Sequence, residues 1–237
     1  MIDRWLEIIH KSFYPPICLI CGGPGQAHLD LCIGCAASLP YHCAGCGICG
    51  VRLPDRAKTG LCGKCSAKKP CYDTTRSLFV YLEPVRYLIR SLKFQSNYSC
   101  ARLLGQMMGE YLRSCGPLSP DLILPVPLHR NRLRERGFNQ SIELARPVSK
   151  ALGIPMGLGV CIRSRETAPQ SNLDSKRRKK NLQGAFSVTA PIENKQVAIF
   201  DDIVTTGATV DEMAKTLKAC GVERIEVWSI ARANLGG

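Results

Sequence analysis

One stretch near the C-terminus constrains this chain more than any other: Val197-Ala-Ile-Phe-Asp201-Asp202-Ile-Val-Thr205-Thr206-Gly207-Ala208-Thr209. Its four leading apolar residues read as a buried strand. Two adjacent carboxylates stand at the strand end. A turn of hydroxyl residues and glycine follows, and an amphipathic run to Cys220 reads as a helix. In this order the parts describe a site for a sugar phosphate. The turn's N–H groups and the positive end of the helix suit a phosphate. The carboxylates accept hydrogen bonds from ribose hydroxyls.

Further strands and helices alternate around this unit. Ser77–Leu82 reads as a strand, and Glu83-Pro84 opens a helix to about Phe94, striped by Val85, Leu88, Ile89 and Leu92. A second helix spans about Ala101 to Ser114. Arg86, Arg90 and Lys93 read as a solvated face of the first helix rather than as a ligand site. Asp121–Pro127 is a strand closed by prolines, and Asn139 to about Leu152 a helix. Arg224–Arg232 is the final strand. Alternating strands and helices predict an α/β fold with a parallel sheet and right-handed crossovers.

Ten of the fourteen cysteines fall between Cys18 and Cys71, mostly in C-x-x-C pairs. Two such knuckles complete a tetrahedral Cys₄ zinc site. Cys18 and Cys21 with Cys32 and Cys35 make one site. Cys62 and Cys65 make another with a pair from Cys43, Cys46 and Cys49. Cys46 with Cys49 is preferred, because the residues after Cys49 read as the start of a ribbon hairpin; Cys43 with Cys46 has the same spacing. The expected complement is one or two structural Zn²⁺ ions. The segment has few large apolar residues, so metal would supply its folding free energy. Lys68-Lys-Pro70 marks the expected boundary between this module, residues 1–70, and a larger domain, residues 71–237. Ahead of the first knuckle, Ile2, Trp5, Leu6 and Ile9 form one face of a short amphipathic helix, expected to pack on the protein's own core.

The net charge of +13 points to polyanionic partners, nucleic acid or phosphorylated metabolites. Two segments concentrate it. His129-Arg130-Asn-Arg132-Leu-Arg134-Glu-Arg136 directly follows a strand end, where ligands bind in open parallel sheets. The second carries Lys176-Arg177-Arg178-Lys179-Lys180 between Pro169-Gln170 and Asn181-Leu-Gln-Gly184-Ala-Phe186. No apolar run approaches the roughly 20 residues of a membrane span. Asp3 and Glu7 interrupt the N-terminal apolar pattern, so it is not a signal-peptide core. The expected compartment is the cytoplasm, where clustered cysteines mean metal or redox chemistry rather than disulfides.

Pro125-Val-Pro-Leu128, Arg132-Leu-Arg-Glu-Arg-Gly-Phe-Asn-Gln140, Thr167-Ala-Pro-Gln170 and Arg178-Lys-Lys-Asn-Leu-Gln-Gly-Ala-Phe186 resemble the ComF/GntX family of natural competence and DNA utilisation. Val197–Thr209 resembles the diphosphoribosyl-diphosphate (PRPP) signature of type I phosphoribosyltransferases. The resemblance implies a type I phosphoribosyltransferase-like sheet behind a double zinc ribbon. It implies that Asp201 and Asp202 hold the ribose 2′ and 3′ hydroxyls, and that Thr205, Thr206, Gly207, Ala208 and Thr209 wrap the 5′-phosphate. Pro127, His129 and Arg130 would occupy the pyrophosphate-loop position, and Mg²⁺ would enter with PRPP. Together with the charge, it makes Arg132, Arg134, Arg136 and Lys176–Lys180 the expected contacts to single-stranded DNA. Three functions follow as alternatives: a DNA-uptake factor that binds single strands, an active phosphoribosyltransferase, and an adaptor whose ribbon docks a competence helicase or uptake protein. No motif identifies an acceptor base, so no catalytic residue is assigned.

Overall fold

The computed structural model describes residues 16–26, 28–43, 45–53, 60–117, 120–165, 182–192 and 196–233. The expected N-terminal amphipathic helix and the Lys176–Lys180 segment lie outside them.

The cysteine-rich segment forms two knuckles, each running into one turn of helix, α1 (Ile33–Ala37) and α2 (Gly63–Ala67). Both helices are capped by sulfur. The Cys35 N–H donates to Cys32 Sγ at 3.3 Å, and the Cys65 N–H to Cys62 Sγ at 3.4 Å. Then come β1 (Thr74–Val80), α3 (Val85–Gln95), α4 (Tyr98–Ser114) and β2 (Leu122–Pro125). Next are α5 (Arg130–Arg136), α6 (Gln140–Leu152) and the antiparallel pair β3 (Cys161–Arg163) and β4 (Phe186–Val188). β5 (Gln196–Val204), α7 (Ala208–Ala219) and β6 (Arg224–Arg232) close the chain.

The central sheet is fully parallel, in the order β1-β6-β5-β2, as the alternation of elements predicts. β6 is buried from Ile225 to Arg232 and β5 from Val197 to Phe200, as strands covered on both faces are. One core joins α3, α4 and α6 to the sheet and includes Cys18, Leu31 and Leu39 of the first knuckle. The other joins α7 and the β3–β4 pair to the opposite side and includes Cys46, Cys49 and Cys65 of the second. The α3 stripe of Val85, Leu88, Ile89 and Leu92 is wholly buried. Each such side chain contributes about 1.5–3 kcal/mol.

The ribbon also covers the β1 edge of the sheet. The Val80 N–H donates to Pro40 O at 2.8 Å and the His42 N–H to Leu78 O at 2.9 Å. An exposed edge would otherwise be free to pair with another chain.

Three elements differ from their expected form. β1 begins at Thr74, because its pairing with β6 starts at Thr74 against Glu226. β5 does not stop before the acid pair. It continues to Val204, because Asp201, Ile203 and Val204 stay in register with Ser229, Ala231 and Arg232. The arginine-rich segment after β2 is a helix, capped by His129 Nδ1, which accepts the Asn131 N–H at 3.4 Å. Arg, Leu and Glu are good helix formers.

Candidate functional site

The acid pair sits on the last turns of β5, at the carboxyl edge of the sheet. Asp202 is 4 % exposed and points toward α3 and α6. One of its oxygens pairs with the Lys93 ammonium. The other accepts the Gln140 amide at 3.2 Å. Asp201 accepts the Ser141 hydroxyl at 3.1 Å and the Asp202 N–H at 2.9 Å. Burial and the neighbouring Asp202 charge push Asp201 up to about 8, and Lys93 only partly opposes this. Burial works most strongly on Asp202, to raise it, but the Lys93 ammonium in contact with it and the hydrogen bonds from Gln140 and Asp201 together outweigh burial and hold it below the usual carboxylate range. Near neutral pH the pair therefore carries one negative charge and one proton.

After the pair the chain turns sharply and enters α7. Gly207 caps the helix with φ +79°, and a Cβ there would come 3.1 Å from the Tyr72 hydroxyl beneath it. The positive φ favours glycine strongly, and the close Tyr72 hydroxyl adds to the cost of any Cβ there. The first-turn N–H groups of α7 open onto a cavity of about 270 Å³ shared with the acid pair. Asp201, Asp202, Thr205, Gly207, Ala208 and Thr209 all line it. Thr206 faces the other side of the loop. The turn after β2 contributes Leu128 to the lining, while Pro127, His129 and Arg130 stand outside it.

Three lining residues are not among the site residues expected from the sequence: Lys93, Gln140 and Arg163. Lys93 was placed on a solvated face, yet it reaches the acid pair. Its position next to the exposed Phe94, at the end of an apolar stripe, was the available signal. Arg163 ends β3 at the same edge, its guanidinium 5.9 Å from the Phe186 ring. Burial lowers its affinity for the proton, opposed by the Asp201 charge.

The arginines of α5 divide. Arg132 and Arg134 are exposed, with Arg132 3.2 Å from Glu135. Arg136 is half-buried, donates to Gln140 Oε1 and lies 6.0 Å from the Phe94 ring. It is therefore tied through Gln140 to Asp202. Phe138 and Phe186, which flank the basic segments, are buried. The exposed aromatics at this edge are instead Phe94, Tyr87 and Tyr98, with Arg90 among them.

The cysteines assemble into two groups, Cys18/Cys21/Cys32/Cys35 and Cys46/Cys49/Cys62/Cys65, with the sulfurs of each group within 4.8 Å of one another. Cys21 and Cys32 sulfurs stand 3.8 Å apart, and those of Cys49 and Cys62 3.6 Å. Tetrahedral Zn–S bonds of about 2.3 Å place sulfurs about 3.8 Å apart, so both sets fit zinc. Burial alone would raise the Cys18 thiol. Backbone N–H groups of Cys21, Cys32 and Ile20 nevertheless bring it down to about 6. The neighbouring Cys32 side chain pushes Cys35 up to about 12. Four thiolates this close need a cation between them. Cys43 is exposed and turned toward Tyr41 O, outside both groups. The structure brings Cys46 and Cys49, rather than Cys43, to Cys62 and Cys65.

Known proteins resemble this chain over nearly all its length. The model of the phosphoribosyl transferase domain matches residues 139–235, and that of the double zinc ribbon domain residues 9–66. Competence protein F of Haemophilus influenzae is 35% identical, covering 94% of this chain and 99% of that protein. DNA utilization protein YhgH of Salmonella typhimurium is 34% identical over 92% of this chain and 97% of that protein. Competence protein ComFC of Streptococcus pneumoniae is 26% identical over 76% and 80%. A double zinc ribbon joined to a phosphoribosyltransferase-type sheet, with that identity along almost every residue, means that this chain belongs to the family of Competence protein F and DNA utilization protein YhgH.

Proposed function

We propose that this chain acts in natural competence as a DNA-uptake factor of the cytoplasm, binding single-stranded DNA and carrying a site for PRPP or a related ribose phosphate. One observation carries the reading: a single cavity holds a carboxylate pair at one end and a glycine turn with a helix N-terminus at the other. Those are the groups that ribose hydroxyls and a 5′-phosphate need. The relatives' names supply the DNA context. The surface beside the cavity supports it, because exposed Phe94 and Tyr87 flank Arg90 on α3, and Arg136 of α5 lies 6.0 Å from the Phe94 ring. Aromatic faces and cations in one track are what a single strand uses, and such binding falls steeply with salt. Within this reading, residues 1–70 form the ribbon module and residues 71–237 the nucleotide-binding domain. A competence helicase or uptake protein is the partner expected on the ribbon.

Mg²⁺ fits the oxygen-only donors of the acid pair and would neutralise the pyrophosphate of bound PRPP. Lys93 and Gln140 hold both oxygens of Asp202, and Ser141 holds one of Asp201. The second reading, an active phosphoribosyltransferase, is favoured by the completeness of this pair and loop. Calorimetric titration with PRPP and Mg²⁺, repeated on Asp201→Asn/Asp202→Asn, tests both. Saturable binding by the native protein and its loss in the variant is the expected result. No binding by the native protein refutes the sugar-phosphate site. Release of pyrophosphate with a nucleobase acceptor would establish transfer.

A further inference from the structure

A second cavity, of about 370 Å³, lies behind the phosphate loop, between the loop and the second cysteine group. Its volume is in the range of small-ligand sites, about 300–1,000 Å³. Gly207 and Ala208 line both cavities, so the loop backbone is a wall with one cavity on each face. The sugar-phosphate site uses only the front face. From behind, the Lys64 ammonium holds the wall by donating to Thr206 O at 3.3 Å.

The rear lining has three kinds of group. Val51, Pro70 and the Tyr72 ring supply an apolar surface. The second is one buried donor. Tyr72 is only 5% exposed, and its hydroxyl lies 3.1 Å from where a Cβ on Gly207 would stand. That hydroxyl makes no hydrogen bond among the described residues. Burial pushes the phenol up, so it keeps its proton and can donate. Buried polar groups are nearly always hydrogen-bonded, so it calls for an acceptor in the cavity. The third is positive charge. With zinc bound, four thiolates leave about two net negative charges. Three lysines and Arg232 in the lining exceed these and Asp211 together. Lys64 and Arg232 are engaged with backbone carbonyls. Exposed Lys68 and Lys69 enter no ion pair among the described residues, so they are the cations left for a ligand.

We propose that the rear cavity is a second ligand site, for a nucleoside 5′-monophosphate, separate from the sugar-phosphate site and coupled to it through the shared loop. The base lies against Val51, Pro70 and the Tyr72 ring, and one of its carbonyl oxygens accepts the Tyr72 hydroxyl. The phosphate lies at Lys68 and Lys69. A flat ring with one anionic arm is the chemistry that an apolar surface, a single buried donor and a pair of rim cations recognise. Such a ligand packs on the back of Gly207 and Ala208 and stiffens the wall whose other face holds the 5′-phosphate. Ordering the loop once then serves both ligands, so each tightens the other. The rear site stands on its own lining, and only the coupling rests on the sugar-phosphate reading of the first cavity.

Calorimetry of the intact protein with thymidine 5′-monophosphate, with and without saturating PRPP–Mg²⁺, tests it. The mononucleotide is expected to bind with PRPP in place, about fivefold or more tighter than without it, the lower end of the usual coupling between sites. Thymidine, which lacks the phosphate, should bind about tenfold or more weaker. Lys68→Gln/Lys69→Gln should weaken the mononucleotide by about tenfold or more while PRPP alone binds as before. Tyr72→Phe removes a hydroxyl that the fold does not use, and should weaken the mononucleotide by about threefold to tenfold. If PRPP abolishes mononucleotide binding, or if both the lysine and the Tyr72 variants bind the mononucleotide as the native protein does, the rear site is wrong while the first cavity stands. Equal mononucleotide affinity with and without bound PRPP would overturn the coupling. If PRPP does not bind and lysine-dependent mononucleotide binding is present, the sugar-phosphate site falls and the rear site stands.

Discussion

Lys93 and Asp202 are far apart in the chain, and their contact sets the chemistry of the candidate site. Asp201, raised to about 8, holds a proton more tightly folded than unfolded. Its contribution to stability is therefore present at low pH and is lost as pH rises through about 8. Binding runs the other way. Ribose hydroxyls and Mg²⁺ both favour the ionised carboxylate, so PRPP affinity should rise from pH 6 to pH 8, by up to about tenfold per unit, and level off above. Calorimetric titrations at stepped pH check the slope; a flat profile would mean that Asp201 is already ionised. Lys93→Met removes the cation that keeps Asp202 charged. PRPP affinity at neutral pH should drop by about tenfold or more, and the midpoint of the profile should move above 8. A second residue, Phe94, is 70 % exposed beside the Arg136 guanidinium. Phe94→Ala should weaken single-strand binding by about 1–3 kcal/mol while the PRPP titration stays as it was, measured by fluorescence anisotropy. An unchanged strand affinity would remove α3 from the DNA path.

At the scale of elements, the packing of α4 on α6 depends on two glycines. A Cβ at Gly105 would lie 2.6 Å from the Leu144 carbonyl oxygen, and one at Gly109 2.8 Å from the Ala151 Cβ. Backbone cannot swing aside as a side chain does. Gly105→Ala should cost about 1–3 kcal/mol, read as a lower urea midpoint at an unchanged slope. Elements governed by their own residues were legible beforehand. The α3 stripe, β6 and the cysteine knuckles follow from spacing and composition. What depended on distant partners was not. The end of β5 is set by Ser229 and Ala231 across the sheet, not by the charge of Asp201. The role of Lys93 is set by how α3 lies against β5. Cys43 and Cys49 were equal by spacing. The choice came from His42, whose N–H is bound to Leu78 and whose ring reaches Gly50 O at 2.6 Å, leaving Cys43 on the outside. The helix α5 was hidden by its charge, because arginines suggest a loop as readily as a solvated helix.

Across the whole molecule, the ribbon and the sugar-phosphate site are one mechanical unit. Arg232 ends β6 in the interior, 2 % exposed. Its Nε donates to Cys49 O at 2.8 Å, and its Nη1 to Val204 O at 2.8 Å and to Thr205 O. One guanidinium thus joins the second cysteine group to the first residues of the phosphate loop. Lys64, between Cys62 and Cys65, makes a second tie through Thr206 O. Because both contacts are to backbone, a shift in the cysteine group displaces the loop rather than a side chain. Metal binding supplies most of the order in such a small segment. Releasing it should therefore loosen the loop that holds the 5′-phosphate. Two cysteine groups predict two zinc ions per chain by elemental analysis. Cys62→Ser should lose one of them, lower the melting temperature, and weaken PRPP binding by about 5-fold to 150-fold, the usual span of coupling between sites. Cys21→Ser, in the group that packs on the opposite side of the sheet, should also lose one zinc but leave PRPP binding much nearer native. Arg232→Leu, which strands the carbonyls of Cys49, Val204 and Thr205, should reproduce the loss of binding with both zinc ions retained. Equal PRPP affinity in Cys62→Ser and native protein would show that the ribbon stabilises the sheet without reaching the loop.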